Sequence, residues 1–326
     1  MGYDKDGNYT NNRWVGCGMD GLDWDNYSAN WNKRPEVIVF DLDDTLTSNT
    51  REIYSDCRAQ FADYITSTLG ISNDEFQSSF VNNDKKNYKK NGHYHNIFLD
   101  SGIMAFEELA SKNDYTLTLE DRLEMENIVN STIENIDAYE LMPFATEALT
   151  YCIENGYEPH IATNGSDKRQ DDIIAHLGLY DYFEEKNVHI ISGSKKLKLS
   201  EISPDAQYMI MVGNSEYSDM KPVEDLYTCY GFKNIAGIYI SRGESHLDKL
   251  AKLDDTENII LRSDSLENLP GLIEEAKSSY RAKAFSAERA ALRAPNFKEA
   301  WAQYRHDYRV PTFPDSKPLK SPKLGE

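Results

Sequence analysis

The chain has 326 residues, 40% of them hydrophobic and 28% charged, a composition typical of a globular protein with one large domain or two ordinary ones. It has no run of about 18 apolar residues and no signal-peptide pattern at its start, so we expect a cytoplasmic protein without a membrane partner. The net charge of −20 disfavours nucleic acid as a partner, and the four scattered cysteines argue against a disulfide framework or a zinc site.

The first informative segment follows residues 1–34, which lack a sustained period and are expected to be a flexible leader. Residues 36–41 are apolar, β-branched and aromatic, which predicts a buried strand of a parallel sheet. The segment ends in two carboxylates, Asp41 and Asp43. Ligands of open α/β sheets bind beyond the carboxyl ends of strands, so the pair is either a ligand site that needs a cation or a simple Asx-type turn.

A long region without strands comes next. Apolar residues at helical spacing predict a helix over 50–69 that stops at Gly70, and further helices are expected near 73–82, 101–111 and 118–135. Residues 85–95 are rich in lysine and include His93 and His95. They are either a substrate-facing loop that meets an anion or a solvated, mobile loop.

Three later strands also end in polar residues. The strand over 157–163 leads into a helix start, where a threonine hydroxyl and backbone N–H groups suit a phosphate. Strands over 187–192 and 208–213 follow. The polar residues after these three strands are Thr163, Asn164 and Gly165, then Lys195, Lys196 and Lys198, then Asn214 and Asp219.

The remaining chain predicts strands at 234–240 and 258–261 and a helix over 270–283. Residues 281–326 contain more Lys and Arg than Asp and Glu, and include several prolines. This helical and proline-containing extension is either a docking segment for a protein partner or a solvated tail.

The segment Val-Ile-Val-Phe-Asp-Leu-Asp-Asp-Thr-Leu-Thr, the Thr-Asn-Gly at 163–165, the following lysines and the Gly-Asn-Ser…Asp at 213–219 resemble the four motifs of the haloacid-dehalogenase-like (HAD) hydrolases. The resemblance implies an α/β fold with a doubly wound, mostly parallel, Rossmann-like sheet. The core would comprise residues 35–48 and 142–280. Residues 49–141 would form an all-helical cap of the C1 type, inserted after the first strand.

The same resemblance implies a Mg²⁺-dependent phosphatase. Asp41 would be the nucleophile that forms an aspartyl-phosphate, and Asp43 the general acid and base. Thr163, Asn164, Gly165 and one of Lys195, Lys196 and Lys198 would bind the phosphate. Asp41, the backbone of Asp43, Asn214 and Asp219 would hold Mg²⁺. The substrate would be a small phosphorylated metabolite; nucleotides, sugar phosphates and phosphoglycolate all fit.

Two departures from the family pattern keep alternatives open. Asn214 stands where the family usually has an aspartate, and residues 199–207 are short for the helix that normally follows the lysine, which would be shortened or missing. The chain could therefore be a catalytically impaired HAD-fold binding or scaffold protein, or a phosphomutase of the same fold. Asp43 favours a phosphatase over a dehalogenase, because a halide leaving group needs no proton.

Overall fold

One parallel sheet organises the molecule in the computed structural model, which describes residues 34–92, 96–241, 259–293 and 303. Its six strands lie in the order β3-β2-β1-β4-β5-β6, and every neighbouring pair is parallel. The predicted α/β class with a Rossmann-like sheet is confirmed. The strands are β1 Glu36–Phe40, β2 Tyr157–Asn164, β3 Val188–Ile191, β4 Tyr208–Gly213, β5 Ile235–Ile240 and β6 Ile260–Ser263.

Helices form the connections between these strands. Five of them lie between β1 and β2, and the first four form a helical insertion: α1 Thr50–Leu69, α2 Asn73–Asn91, α3 Ile97–Lys112 and α4 Leu119–Ser131. The others are α5 Ala145–Glu154, α6 Asp167–His176, α7 Lys195–Ile202, α8 Lys221–Thr228 and α9 Leu269–Arg293. Within the described residues, no helix combines the length and apolar character needed to cross a membrane.

Strand β1 lies in the middle of the sheet and is buried on both faces. Ile38 and Phe40 belong to one apolar layer, while Val37 and Val39 belong to the layer on the opposite face. This alternation follows from the period of two along a strand, and burial on both faces explains why β1 is a continuous apolar run. Because all strands are parallel, the residues after β1, β2, β3 and β4 meet at one edge.

The helical insertion has its own tightly packed apolar centre. Phe61 of α1 and Met125 of α4 both lie against Gly102 of α3, where a Cβ atom would come within 2.6 Å of the Phe61 ring and 2.8 Å of the Met125 methyl group. Capping boxes begin two of the helices, at Ser72 for α2 and Thr118 for α4. The insertion is therefore a packed body rather than a set of loops.

Helix α2 is longer than its sequence predicts, and the expected loop at 85–95 is wrong for residues 85–91, which are helical. The cause is polar packing that hydrophobic periodicity does not detect. Asn83 Nδ2 donates to Glu108 Oε2 at 2.8 Å, and Asn87 Nδ2 donates to Ser101 Oγ at 3.2 Å. These buried amides attach α2 to α3. His93 and His95 lie outside the described residues.

Two hydrogen-bonded linkers join the insertion to the sheet. Thr47 and Leu141 form an antiparallel bridge, and the Met142 N–H donates to the Leu46 carbonyl at 2.7 Å. The Asn49 side chain donates to the Ala138 carbonyl at 2.6 Å and accepts from the Glu140 N–H at 3.1 Å. The chain thus enters and leaves the insertion at one place, beside the end of β1.

At the C-terminal end of the core, α9 runs through the predicted boundary at residue 280 and on to Arg293 as one helix. The predicted leader, apart from Arg34, and nearly all of the extension beyond Arg293 lie outside the described residues.

The packing of Gly102 leads to a prediction about stability. In Gly102→Ala the added methyl group would collide with Phe61 and Met125, and overpacking of this kind costs about 1–3 kcal/mol. Gly271→Ala in α9 is the matched control, because the same Cβ meets open space there and a helical alanine is favoured by up to ~1 kcal/mol. In urea unfolding, the free energy of unfolding should fall for Gly102→Ala and rise for Gly271→Ala. Equal changes in the two variants would contradict the packing argument.

Two histidines pair at the β2–β3 edge, away from the central strands. His160 Nδ1 lies 3.1 Å from His189 Nε2, and His160 Nε2 lies 3.0 Å from Glu158 Oε1. Burial, followed by the charges of His160 and Lys198, lowers the pKa of His189 to about 4. Burial also lowers the pKa of His160, although Glu158 opposes this. Both rings are therefore neutral in the folded protein near pH 7.

This pair predicts a pH-dependent loss of stability. Between about pH 6.5 and 4 these two histidines bind more protons in the unfolded chain than in the folded chain, so their contribution to the free energy of unfolding falls as the pH falls through that range. In His189→Gln, the decrease in the free energy of unfolding over this pH range should be smaller by on the order of 1–2 kcal/mol. His176→Gln, at a more exposed histidine, is the control. Parallel curves for wild type and His189→Gln would refute the assignment.

Candidate active site

A buried lysine joins two buried carboxylates at the centre of the site. Lys195 Nζ lies 2.5 Å from Asp41 Oδ1 and 2.6 Å from Asp219 Oδ1. The lysine side chain is 1% exposed, and those of Asp41 and Asp219 are 8% and 0% exposed. Charges withdrawn from water to this degree persist only when they pair with one another, so the three groups form one unit.

Each member of this unit arrives from a different strand end. Asp41 directly follows β1, and its N–H donates to the Val212 carbonyl of β4 at 2.9 Å. Lys195 is the first residue of α7, after β3. Asp219 lies in a short π-helical turn after β4, where its Oδ2 accepts from the Ser215 N–H at 2.8 Å. Gly213 leaves the necessary room, since a Cβ there would lie 2.4 Å from Asp219 Oδ2.

The electrostatics of the unit follow from burial and proximity. Burial, and then the charge of Asp219, raises the pKa of Asp41 well above the ordinary aspartate value, although Lys195 opposes the shift. Burial on its own would lower the pKa of Lys195, but the charges of Asp219 and Asp41 outweigh it and raise that pKa. The positive charge of Lys195 therefore offsets only part of the burial and mutual repulsion that disfavour ionisation of the two carboxyl groups.

The structure distinguishes the three candidate lysines. Lys195 contacts both Asp41 and Asp219, whereas Lys196 pairs with Asp225 at 3.3 Å and Lys198 pairs with Glu201 at 2.6 Å. The helix that the sequence left as shortened or missing is present but short, at eight residues. Its first residue is Lys195, so the short helix still orients the lysine toward the strand ends.

Asp43 is held from two sides. Gln170 Nε2 donates to Asp43 Oδ2 at 2.9 Å and to the Asn164 carbonyl at 3.0 Å. Thr50, the first residue of α1, donates to Asp43 Oδ1 at 3.3 Å. A core helix and the helical insertion therefore both bind the same carboxylate.

Three further polar residues contribute to the site without having been predicted from the sequence: Gln170, Thr50 and the neighbouring Arg169. Gln170 is fully buried, and a Cβ on Gly165 would lie 2.4 Å from its Nε2, so the glycine is needed for Gln170 to lie there. Arg169 is also buried, with its guanidinium 5.5 Å from the Tyr54 ring centroid of α1. Two polar residues on the apolar face of α6, beside Ile173 and Ile174, were the signal available in the sequence.

The residues predicted to bind phosphate lie at the end of β2. Thr163 is fully buried, and its Oγ1 has no hydrogen-bond partner among the described residues. The Asn164 side chain donates to the Ile191 and Gly193 carbonyls, at 2.9 and 2.7 Å, and so holds the segment that leads to Lys195. The unpartnered hydroxyl is a polar atom with capacity for a ligand oxygen.

The donor set fits a hard divalent cation. No group of three or more His, Cys, Asp or Glu with metal-site geometry exists among the described residues. The predicted Mg²⁺ ligands are of mixed type: the carboxylates of Asp41 and Asp219, the Asn214 amide and the Asp43 main-chain carbonyl. All four are oxygen donors of the kind that Mg²⁺ prefers, and a cation bound there would oppose the burial and the Asp219 charge that raise the pKa of Asp41.

A cleft of about 770 Å³ opens above these groups. Asp41, Asp43, Asn164, Lys195 and Asn214 form its base. The end of α2 forms part of its wall through Tyr88, Lys89 and Gly92, and the core contributes Lys196, Tyr217 and Lys221. The helical insertion and the sheet edge thus share one cleft.

Comparison with solved structures supports the same fold. A haloacid dehalogenase-like family hydrolase from Xanthomonas campestris superposes with a TM-score of 0.60 at 20% identity, over 77% of this chain and 95% of that one. A protein from Burkholderia xenovorans LB400, described as a haloacid dehalogenase-like hydrolase, gives a TM-score of 0.50 at 18% identity, over 74% and 98%. A comparison with curated protein sequences gave no significant match.

A family model matches residues 35–221, more than half of the chain, and describes haloacid dehalogenase-like hydrolases. The matched segment contains β1, the helical insertion and all three members of the Asp41–Lys195–Asp219 unit. The chain therefore belongs to the haloacid dehalogenase-like hydrolases.

Proposed function

We propose that this hydrolase is a Mg²⁺-dependent phosphatase that cleaves small phosphomonoesters through an aspartyl-phosphate on Asp41. The observation that carries the proposal is the pair of carboxylates with different surroundings at the end of β1. Asp41 is ion-paired with Lys195, whereas Asp43 is hydrogen-bonded to Gln170 and Thr50. Two neighbouring acids in different environments are suited to different chemical roles.

In the first step, an Asp41 carboxylate oxygen attacks phosphorus and the bond from phosphorus to the ester oxygen breaks. Asp43 gives its proton to the departing alkoxide, which leaves as an alcohol. In the second step, Asp43 takes a proton from water, whose oxygen attacks the phosphorus of the aspartyl-phosphate. The bond from phosphorus to Asp41 breaks and inorganic phosphate leaves, which restores Asp41 as a carboxylate and Asp43 as the protonated acid.

The phosphoryl oxygens would be bound by Lys195, the Thr163 hydroxyl and backbone N–H groups near Asn164 and Gly165. Positioning and charge stabilisation supply most of the catalysis in phosphoryl transfer. Mg²⁺ held by Asp41, the Asp43 carbonyl, Asn214 and Asp219 would lower the repulsion between these acids and the phosphoryl group.

Asp43 supports a phosphatase rather than a dehalogenase, because its hydrogen-bonded carboxylate borders the cleft and an alkoxide leaving group, unlike a halide, needs a proton. The intact Asp41–Lys195–Asp219 unit and the presence of α7 argue against an impaired scaffold protein, despite Asn214. A phosphomutase would differ in passing the phosphoryl group to a second substrate rather than to water.

We also propose that the helical insertion acts as a C1-type cap. The last turn of its helix α2 borders the cleft, and Thr50, the first residue of its helix α1, contacts Asp43. Contacts of this kind would let the cap both select the leaving group and exclude bulk water from the reacting atoms.

Asp41→Asn should abolish release of inorganic phosphate from a panel of phosphomonoesters with Mg²⁺, lowering kcat by roughly 10³-fold or more because the nucleophile is removed. Asp63→Asn, on the exposed face of α1, is the charge-matched control and should retain activity. EDTA should remove the wild-type activity and Mg²⁺ should restore it. Equal rates for wild type and Asp41→Asn would rule out the proposal, and transfer to a sugar acceptor without free phosphate would indicate a mutase.

Gln170→Leu tests the orientation of Asp43. Loss of the Gln170 hydrogen bond should lower kcat by about 10-fold or more for alkyl phosphates, whose alkoxide leaving groups need a proton. The effect should be much smaller for 4-nitrophenyl phosphate, whose leaving group needs little protonation. Asp43→Asn is the reference and should show the same leaving-group dependence. A uniform loss for both kinds of substrate would mean that Gln170 acts only on folding.

A further inference from the structure

The C-terminal end of α2 is a strongly cationic element in an acidic protein. Lys85, Lys86, Lys89 and Lys90 lie in its last two turns, and all four are exposed. None forms an ion pair within the described parts of the chain, although the protein has a net charge of −20. A local positive potential of this kind attracts anions from solution.

This helix end is fixed against the sheet edge. Gly92 ends α2 with a φ of +68°, and a Cβ on it would lie 3.2 Å from the Ser192 carbonyl that follows β3. A glycine is favoured here by both the left-handed φ and the close approach of the two backbones. Lys89, three residues before Gly92, therefore has a defined location on the wall of the cleft.

Lys89 differs from the other cations that line the cleft. Lys195 is paired with Asp41 and Asp219, and Lys196 and Lys221 both pair with Asp225. Lys89 lines the same cleft, and within the described parts of the chain no carboxylate pairs with it. It is thus the lysine of this wall whose charge remains available to a bound molecule.

We propose that the substrate carries a second anionic group, separate from the transferred phosphoryl group, and that Lys89 binds it. The inference rests on the proposed phosphatase function and narrows its substrates to doubly anionic phosphomonoesters, such as phosphorylated acids and bisphosphates. Lys195 serves the reacting phosphate at the base of the cleft. Among the other carboxylates that line the cleft, Asp225 is already paired with Lys196 and Lys221, and Asp44 lies 4.0 Å from Arg51, so neither takes up the charge of Lys89.

If Lys89 only stabilised the end of α2, its replacement would have a different effect from the loss of an anion-binding lysine. Lysines in the last turn of a helix also interact favourably with its dipole, but that interaction involves Lys89 and Lys90 alike. Lys90 is adjacent and equally exposed and does not line the cleft. Lys90→Gln is therefore a matched control for Lys89→Gln.

The test measures binding and turnover separately with two pairs of substrates. The distance between the transferred phosphate and the second anionic group differs between the two pairs. Glycerol 3-phosphate and 3-phosphoglycerate differ by a carboxylate in place of a hydroxymethyl group, and glucose 6-phosphate and glucose 1,6-bisphosphate differ by a phosphate. Calorimetry on the Asp41→Asn protein gives each Kd without turnover. Phosphate release by the protein with an intact Asp41 gives kcat and KM. Both are measured with Mg²⁺ at low ionic strength.

For at least one pair, the doubly anionic member should bind about 10-fold or more tightly than its partner. Lys89→Gln should remove that preference, as expected when one hydrogen bond to a charged group is lost. In turnover the loss should appear mainly in KM, because the second anion is bound in both ground and transition states. Lys90→Gln should leave the preference unchanged, and added salt should weaken it in the wild type.

No preference in the Asp41→Asn protein for either pair, or equal effects of Lys89→Gln and Lys90→Gln, would overturn the inference. Selective binding without phosphate release from any substrate would instead uphold the Lys89 site and overturn the phosphatase function. The two failures are therefore distinguishable.

Discussion

The site depends on one buried interaction, the placement of Lys195 between Asp41 and Asp219. Removing ions from water costs several kcal/mol each, and the mutual attraction of the three groups offsets part of that cost, helped by the Ser215 N–H that donates to Asp219. The groups come from the ends of β1, β3 and β4, so the interaction forms only when the sheet order and register are correct. The same geometry that stabilises the charges therefore also brings together the proposed nucleophile and the lysine proposed to bind phosphate.

Asp43 extends this dependence to the helical insertion. Its carboxylate accepts hydrogen bonds from Gln170 of the core and from Thr50 of α1, while Arg169 stacks near Tyr54 of α1. The insertion thus contacts the proposed acid and base directly and not only through the wall of the cleft. A displacement of α1 would alter the Asp43 hydrogen bonds, which would couple the proposed cap closure to the alignment of the proposed proton donor.

The sequence was sufficient for the sheet, because short β-branched runs that end in polar residues identify buried parallel strands and their functional ends. The sequence could not distinguish Lys195 from Lys196 and Lys198. Which of the three lysines is buried depends on the direction in which α7 begins after β3, and that direction is not encoded in the local pattern. The length of α2 was also missed, because its inner face uses Asn83 and Asn87 rather than apolar residues. The role of Gln170 could not be predicted because its hydrogen-bond partner, Asp43, is distant in sequence.

Asn214 is best understood from the charges around it. Asp41, Asp43 and Asp219 are opposed by Lys195, and burial together with Asp219 already raises the pKa of Asp41. An aspartate at 214 would add a further negative charge near Asp41, which must be ionised to act as the proposed nucleophile, whereas an amide offers an oxygen ligand without that charge. The substitution reduces the attraction for the proposed Mg²⁺, but it also reduces the repulsion that the cation must offset. Asn214 is therefore compatible with an active phosphoryl-transfer site and does not by itself indicate a protein that has lost catalysis.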